Sequence, residues 1–165
     1  MTTSRADELR ALLIRNHETA AMTPFMRGAL YESVGASFTD GLAARDLGIS
    51  VDIVPPGKRA CPYHLHHAEE EMFIMLEGAG TLRVAGEMLP IVRGDVIVIP
   101  AGGEYPHQII NSSDAPLKYL SISTRRAPEV CEYPDSGKVN AFSKGRILIH
   151  RKAESLDYWD GEPGA

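Results

Sequence analysis

Apolar and polar positions along the chain follow two different periods. Over residues 4–18 the period is helical: Leu9, Leu12 and Leu13 recur at i, i+3 and i+4, Ser4 can cap the first turn, and Asp7 and Glu8 suit its positive end. This predicts one helix. From Met22 to about Thr39 the pattern is weak, and the stretch reads as an arm. From Leu47 the texture changes to short apolar runs, which predict strands over 49–54, 72–76, 81–84, 96–99, 107–110, 117–123 and 146–150. Turn residues close them, among them Pro55-Pro56-Gly57, Glu77-Gly78, Ala85-Gly86 and Pro100-Ala101-Gly102-Gly103. Short strands with no helical segment between them predict an all-β sandwich or barrel rather than βαβ units. The chain divides into an N-terminal helix and arm (1–45), a β-barrel (46–152) and a polar, acidic tail (153–165) containing Trp159. The run 72–76 is apolar on both faces of its strand, so the arm, the C-terminal strand or another subunit must cover one of them. A homodimer is the expectation.

Composition narrows the class. A chain of 165 residues suits one domain with a sizeable core. With 44% hydrophobic and 24% charged residues it is not a disordered chain. Fifteen glycines and eleven prolines, without a Gly-X-Y period or a Pro-rich tract, call for many tight turns and agree with short strands. A net charge of -5 with no basic run argues against nucleic acid as the main partner. The first twenty residues carry charges throughout and lack an apolar core, unlike a secretory signal, and no apolar run approaches the ~20 residues of a membrane helix. Cys61 and Cys131 define neither a disulfide framework nor a zinc-ligand spacing. A cytoplasmic protein is expected, with a small molecule as its partner and no membrane.

The chemistry concentrates between positions 64 and 107. In YHLHHAEEEMF, His64 and His66 are two apart and project from one face of a strand. By itself such a pair reads either as two exposed polar positions or as two metal ligands. Glu71 opens the next strand, and His107 opens a later one. Three neutral imidazoles and one carboxylate would suit one divalent first-row metal and leave positions open for a substrate. Glu69 and Glu70 read as a solvated turn, and His67, pointing opposite to His66, as a surface residue or a support for the site.

The spacing as a whole resembles the two sequence motifs of the cupin superfamily. The first is matched by Gly57, His64-Leu65-His66, Glu71 and Gly78, with six residues rather than the usual five between the first Gly and the first His. The second is matched by Gly94, Pro100-Ala101-Gly102, His107 and Asn111, with four residues (103–106) where the family has two. The match covers residues 57–111, about a third of the chain. The resemblance implies a double-stranded β-helix (jelly-roll) barrel in which His64, His66, Glu71 and His107 bind Fe, Mn, Ni, Zn or Cu. The segments YPDSGKV (133–139) and YWDGE (158–162) look like features of a subgroup of single-domain bacterial cupins, some of them described as sugar-phosphate isomerases.

Strand parity supplies the surroundings. With Glu71 facing inward, Phe73 and Met75 face inward too, and Ile109 lies beside His107; these are either plain core or substrate contacts. Arg59 is a candidate for a substrate anion, although parity turns it outward unless a bulge intervenes. Tyr105, in the lengthened turn, is a candidate proton donor at the barrel mouth, with a surface role as the alternative. Nothing marks Cys61 as a nucleophile. The resulting expectation is a metal-dependent enzyme acting on a small polar or acidic molecule, by dioxygenase-type or isomerase-type chemistry. The alternative is a non-catalytic small-molecule binder or sensor.

Overall fold

The computed structural model describes residues 3–143 and 145–164 of the chain. A capping box opens α1 (Arg5–Leu13): the Asp7 amide donates to Ser4 Oγ, and the Ser4 amide donates back to the Asp7 carboxylate. The helix ends short of the expected residue 18, for two local reasons. The Arg15 guanidinium folds back onto the carbonyls of Ala11 and Ile14, and Asn16 Oδ1 accepts the Glu18 amide in a tight turn. The Leu9, Leu12, Leu13 stripe is not buried within the chain. Among the described residues no helix is long and apolar enough to cross a membrane.

Beyond the helix the chain is β-structure, as the spacing of its apolar runs requires. The weakly patterned stretch holds a hairpin, β1 (Thr23–Arg27) and β2 (Tyr31–Ser37), followed by β3 (Leu47–Val54). β1 is fully exposed at a sheet edge, which is why it tolerates Pro24 and shows no alternation. There follow β4 (Leu65–His66), β5 (Glu71–Glu77), β6 (Ala79–Val84), β7 (Glu87–Val92), β8 (Val96–Ile99), β9 (His107–Ile110) and β10 (Leu117–Thr124). The chain closes with β11 (Glu129–Tyr133), β12 (Lys138–Ser143) and β13 (Arg146–Arg151).

One antiparallel sheet has the order β1-β2-β3-β10-β5-β8. The opposite wall consists of β7-β6-β9 and β13-β12-β11-β4. These two pieces join where His64 and His107 exchange both backbone hydrogen bonds, at 3.0 and 2.7 Å. The core lies between the walls and includes Phe73, Met75, Leu82, Ile99, Ile109 and Tyr119. Register fixes what the larger sheet shows to the interior. Ser121 stands between Phe73 and Ser50, and Tyr119 between Met75 and Asp52, so this face changes from apolar on β5 to polar on β3. On the outer face, buried Lys118 pairs with Glu77 at 3.5 Å and with Glu18 of the N-terminal arm at 3.1 Å, tying the arm to the sheet.

Two motif residues have structural roles behind the site. Gly78 has φ +80°, and a Cβ there would stand 2.4 Å from the Pro116 carbonyl oxygen, so only glycine fits. Asn111 is fully buried; its amide donates to the carbonyls of Val54 and Ala115, and its oxygen accepts from Ser113. It therefore pins the end of β3 to the β9–β10 turn.

Candidate metal centre

Four strand beginnings and ends converge on one point of the interior. His64 and His66 flank Leu65 at β4, and their rings meet edge to face with centroids 5.0 Å apart. β5 begins at Glu71, whose side chain is largely buried. The donor atoms of His64, His66 and Glu71 all lie within 4.8 Å of one another and form a group able to hold a metal ion. Glu71 Oε2 is 3.7 Å from the Nε2 of His64 and of His66, and 2.8 Å from His107 Nε2. The His107 ring centroid is 4.7 Å from that of His64. The lengthened turn before His107 does not move it away, because the paired backbone bonds to His64 fix both residues side by side.

The other nitrogen of each imidazole is occupied. His64 Nδ1 lies 2.8 Å from the Pro62 carbonyl, His107 Nδ1 3.2 Å from the Tyr105 carbonyl, and His66 Nδ1 3.1 Å from Glu129 Oε1. These oxygens can only accept, so each Nδ1 carries the proton and donates it, which leaves Nε2 as the inward-facing atom. Burial first, then the neighbouring His107, brings His64 down to about 4, so its imidazole is neutral at pH 7. Burial alone would push Glu71 up, but the surrounding His107, His66 and His64 outweigh it and hold the carboxyl below the usual range. The 2.8 Å approach of Glu71 Oε2 to His107 Nε2 is close in distance but lacks hydrogen-bond geometry. Both atoms are buried with no hydrogen-bond partner. Buried polar atoms seldom go unpaired, and two of them aimed into a cluster of imidazole nitrogens fit a cation between them. Nitrogen and carboxylate donors suit a divalent first-row metal.

Glu129 went unrecognised in the sequence. It is fully buried and accepts three N–H groups, from His66 Nδ1 (3.1 Å), the His67 amide (3.1 Å) and the Ala68 amide (2.8 Å). A single side chain thus orients His66 and shapes the turn that leads to Glu71. Glu69, expected in a solvated turn, is buried instead because it accepts the Arg126 amide and lies 3.9 Å from His66 Nδ1. His67 points away and pairs with Glu132.

The remaining sequence candidates are placed as follows. Phe73, Met75 and Ile109 belong to the core, and the Phe73 ring lies 5.6 Å from that of His107. The Tyr105 residue is 42% exposed, and its carbonyl, not its hydroxyl, is what touches a site residue. Arg59 lies outside the strands, bridged to Tyr31; its Nε is buried without a partner, and its charge helps hold Asp135 down. The 133–139 segment proves to be a hairpin tip over the site. The Tyr133 ring stacks on His64 at 6.3 Å, Asp135 takes a bidentate pair from Arg83 at 2.7 and 2.8 Å, and Lys138 lies over the Tyr133 ring.

Comparison with known proteins bears on the family and the fold. Residues 50–123 match the family model for the cupin domain. A "putative sugar phosphate isomerase" from Acidithiobacillus ferrooxidans is 32% identical, with a TM-score of 0.71 over 76% of this chain and 80% of that one. A sugar phosphate isomerase of the cupin superfamily from Silicibacter pomeroyi is 26% identical, with a TM-score of 0.70 over 78% of this chain and 82% of that one. An uncharacterized protein of Methanocaldococcus jannaschii is 38% identical over 71 residues, which span 43% of this chain and 54% of the archaeal protein.

Proposed function

The chain belongs to the cupin superfamily, and we propose from this that it is a metal-dependent isomerase of a small phosphorylated sugar, with one divalent transition metal held by His64, His66, Glu71 and His107. The observation that carries the reading is the pair of buried, unpartnered atoms, Glu71 Oε2 and His107 Nε2, set among imidazoles whose outer nitrogens are all engaged. The choice of isomerase over oxygenase chemistry is supported by the descriptions of the two bacterial proteins of similar fold named above. A divalent ion in that group would polarise a carbonyl or hydroxyl of the substrate.

The chain's own contribution is a proton carrier. Besides Glu71, the carboxylate that the large sheet turns toward the interior is Asp52, in register with Tyr119. Its one side-chain partner among the described residues is Ser50, at 3.4 Å, and burial pushes its carboxyl up, making it a stronger base than a solvated aspartate. In the proposed reaction Asp52 takes a proton from one substrate carbon and returns it to the next, while the hydroxyl proton passes between the two neighbouring substrate oxygens, so that no oxidant or reductant is consumed. The test is NMR of the metal-reconstituted protein with aldose and ketose phosphates in deuterated water. Interconversion with deuterium incorporation at the migrating position is expected. Dioxygen consumption without isomerisation would overturn the reading in favour of an oxygenase.

Assembly follows as part of the same proposal. β13 is an edge strand with Ile147 69%, Leu148 57% and Ile149 59% exposed, so both of its faces are apolar and uncovered among the described residues. A homodimer covering this strand is proposed. Light scattering should give the dimer mass for the wild type and the monomer mass for the double variant Ile147→Asp, Ile149→Asp. A monomeric wild type would contradict it.

A further inference from the structure

Two neighbouring cavities open at the β1–β3 end of the large sheet, and one of them faces the β11–β12 hairpin. One, of about 340 Å³, is lined by Arg27, Tyr31, Tyr63, Tyr133 and Lys138 among others. The second, of about 430 Å³, is lined by Ser33, Ser37, Ser50 and Asp52 among others. Phe25 and Ala60 line both, so the two are neighbouring parts of one trough. The wall of the first reaches one candidate ligand from its outer side: Tyr133 stacks on His64, and the Pro62 carbonyl, also in the wall, holds His64 Nδ1.

The two ends differ in chemistry. At the first, the carboxylate in the wall, Asp135, is already engaged twice by Arg83. Among the described residues Arg27 and Lys138 have no carboxylate within 4.0 Å, and the Arg59 Nε nearby is buried without a partner. An excess of positive charge is therefore left at this end of an acidic protein. At the other end the wall is hydroxyl-bearing on alternate positions of β2 and β3, with Asp52 among the serines. Serine hydroxyls both donate and accept, as a polyol requires.

Resting on the isomerase reading, we propose that this trough is the substrate chamber, with the phosphate of a phosphorylated sugar taken between Arg27 and Lys138 and its hydroxyl-bearing chain laid along Ser33, Ser50 and Asp52. Arg27 and Lys138 are then the residues that select a charged sugar over a neutral one. Among the described residues neither forms an ion pair, so binding a phosphate breaks no carboxylate contact of theirs, and Lys138 has only the Tyr133 ring beneath it.

Calorimetric titration of the metal-loaded protein with fructose 6-phosphate, fructose and inorganic phosphate tests this. The double variant Arg27→Met, Lys138→Met should bind fructose 6-phosphate roughly ten- to a hundredfold more weakly. Its metal content should be unchanged, and Arg27→Lys with Lys138→Arg should restore most of the affinity. Ser50→Ala should weaken fructose and fructose 6-phosphate alike. Equal affinity of the wild type for fructose and its phosphate would overturn the proposal. So would phosphate binding that disappears on metal removal yet survives in the methionine variant, since the anion would then sit on the metal. Failure of the function reading looks different: charge-selective binding that depends on Arg27 and Lys138, without isomerisation, would leave the chamber in place and remove the isomerase.

Discussion

Asp52→Asn is expected to yield a protein at least as stable as the wild type that turns its substrate over roughly 10²–10⁴-fold more slowly. Burial raises the Asp52 carboxyl above its ordinary value, with only a long contact to Ser50 in compensation. A carboxyl raised in the folded state adds stability at pH values below its unfolded pKa, and that contribution is lost as pH rises through the folded pKa. At neutral pH the ionised group is therefore a cost to the fold, and asparagine removes it while keeping the shape. The melting temperature should hold or rise. The acid limb of kcat/KM in the wild type should fall above the ordinary carboxylate range and be absent from the residual activity of the variant. A variant that is both less stable and fully active would show Asp52 to be a structural residue.

A second large effect is expected at Glu129. Replacement by alanine takes the carboxylate away from three N–H groups; the His67 amide keeps the Val130 carbonyl at 2.9 Å, but His66 Nδ1 and the Ala68 amide lose their acceptor. Each unsatisfied donor costs about 1–3 kcal/mol, so the two left by the substitution predict a loss of roughly 2 kcal/mol or more in urea unfolding. Freed from its acceptor, the His66 ring also loses its orientation, and metal affinity should fall about 10–100-fold, measured by competition with a chelator. Glu129→Gln keeps the shape and one acceptor oxygen, so it should recover much of the stability. If Co(II) bound to Glu129→Ala gave the wild-type visible spectrum and affinity, Glu129 would have no positioning role.

The two residues show how far the sequence could be read. His64, His66, Glu71 and the glycine punctuation around them stand within one short stretch, so period-two geometry and motif spacing place them without tertiary information. The strands with strong apolar runs, such as β8 and β9, fall where their pattern indicates. β1, β2, β11 and β12 do not, because edge exposure, half-burial and polar inward faces blur the alternation on which such readings depend. Glu129 acts 63 residues away from His66, across a strand pairing that no local pattern announces. For Asp52 a signal was present: a charge at an inward position of the apolar run ISVDIV. Its meaning needed the register that sets it beside Tyr119. The helix stripe illustrates the opposite error. Leu9, Leu12 and Leu13 have the right period for a packing face and yet stay exposed among the described residues.

If His64, His66, Glu71 and His107 together hold a metal ion, elemental analysis of untagged protein will find it. About one equivalent of a divalent transition metal per chain is expected in the wild type, with near-complete loss and a lower melting temperature in His64→Ala. Less than about a tenth of an equivalent in the wild type, with neither metal content nor melting temperature changed by His64→Ala, would contradict the account.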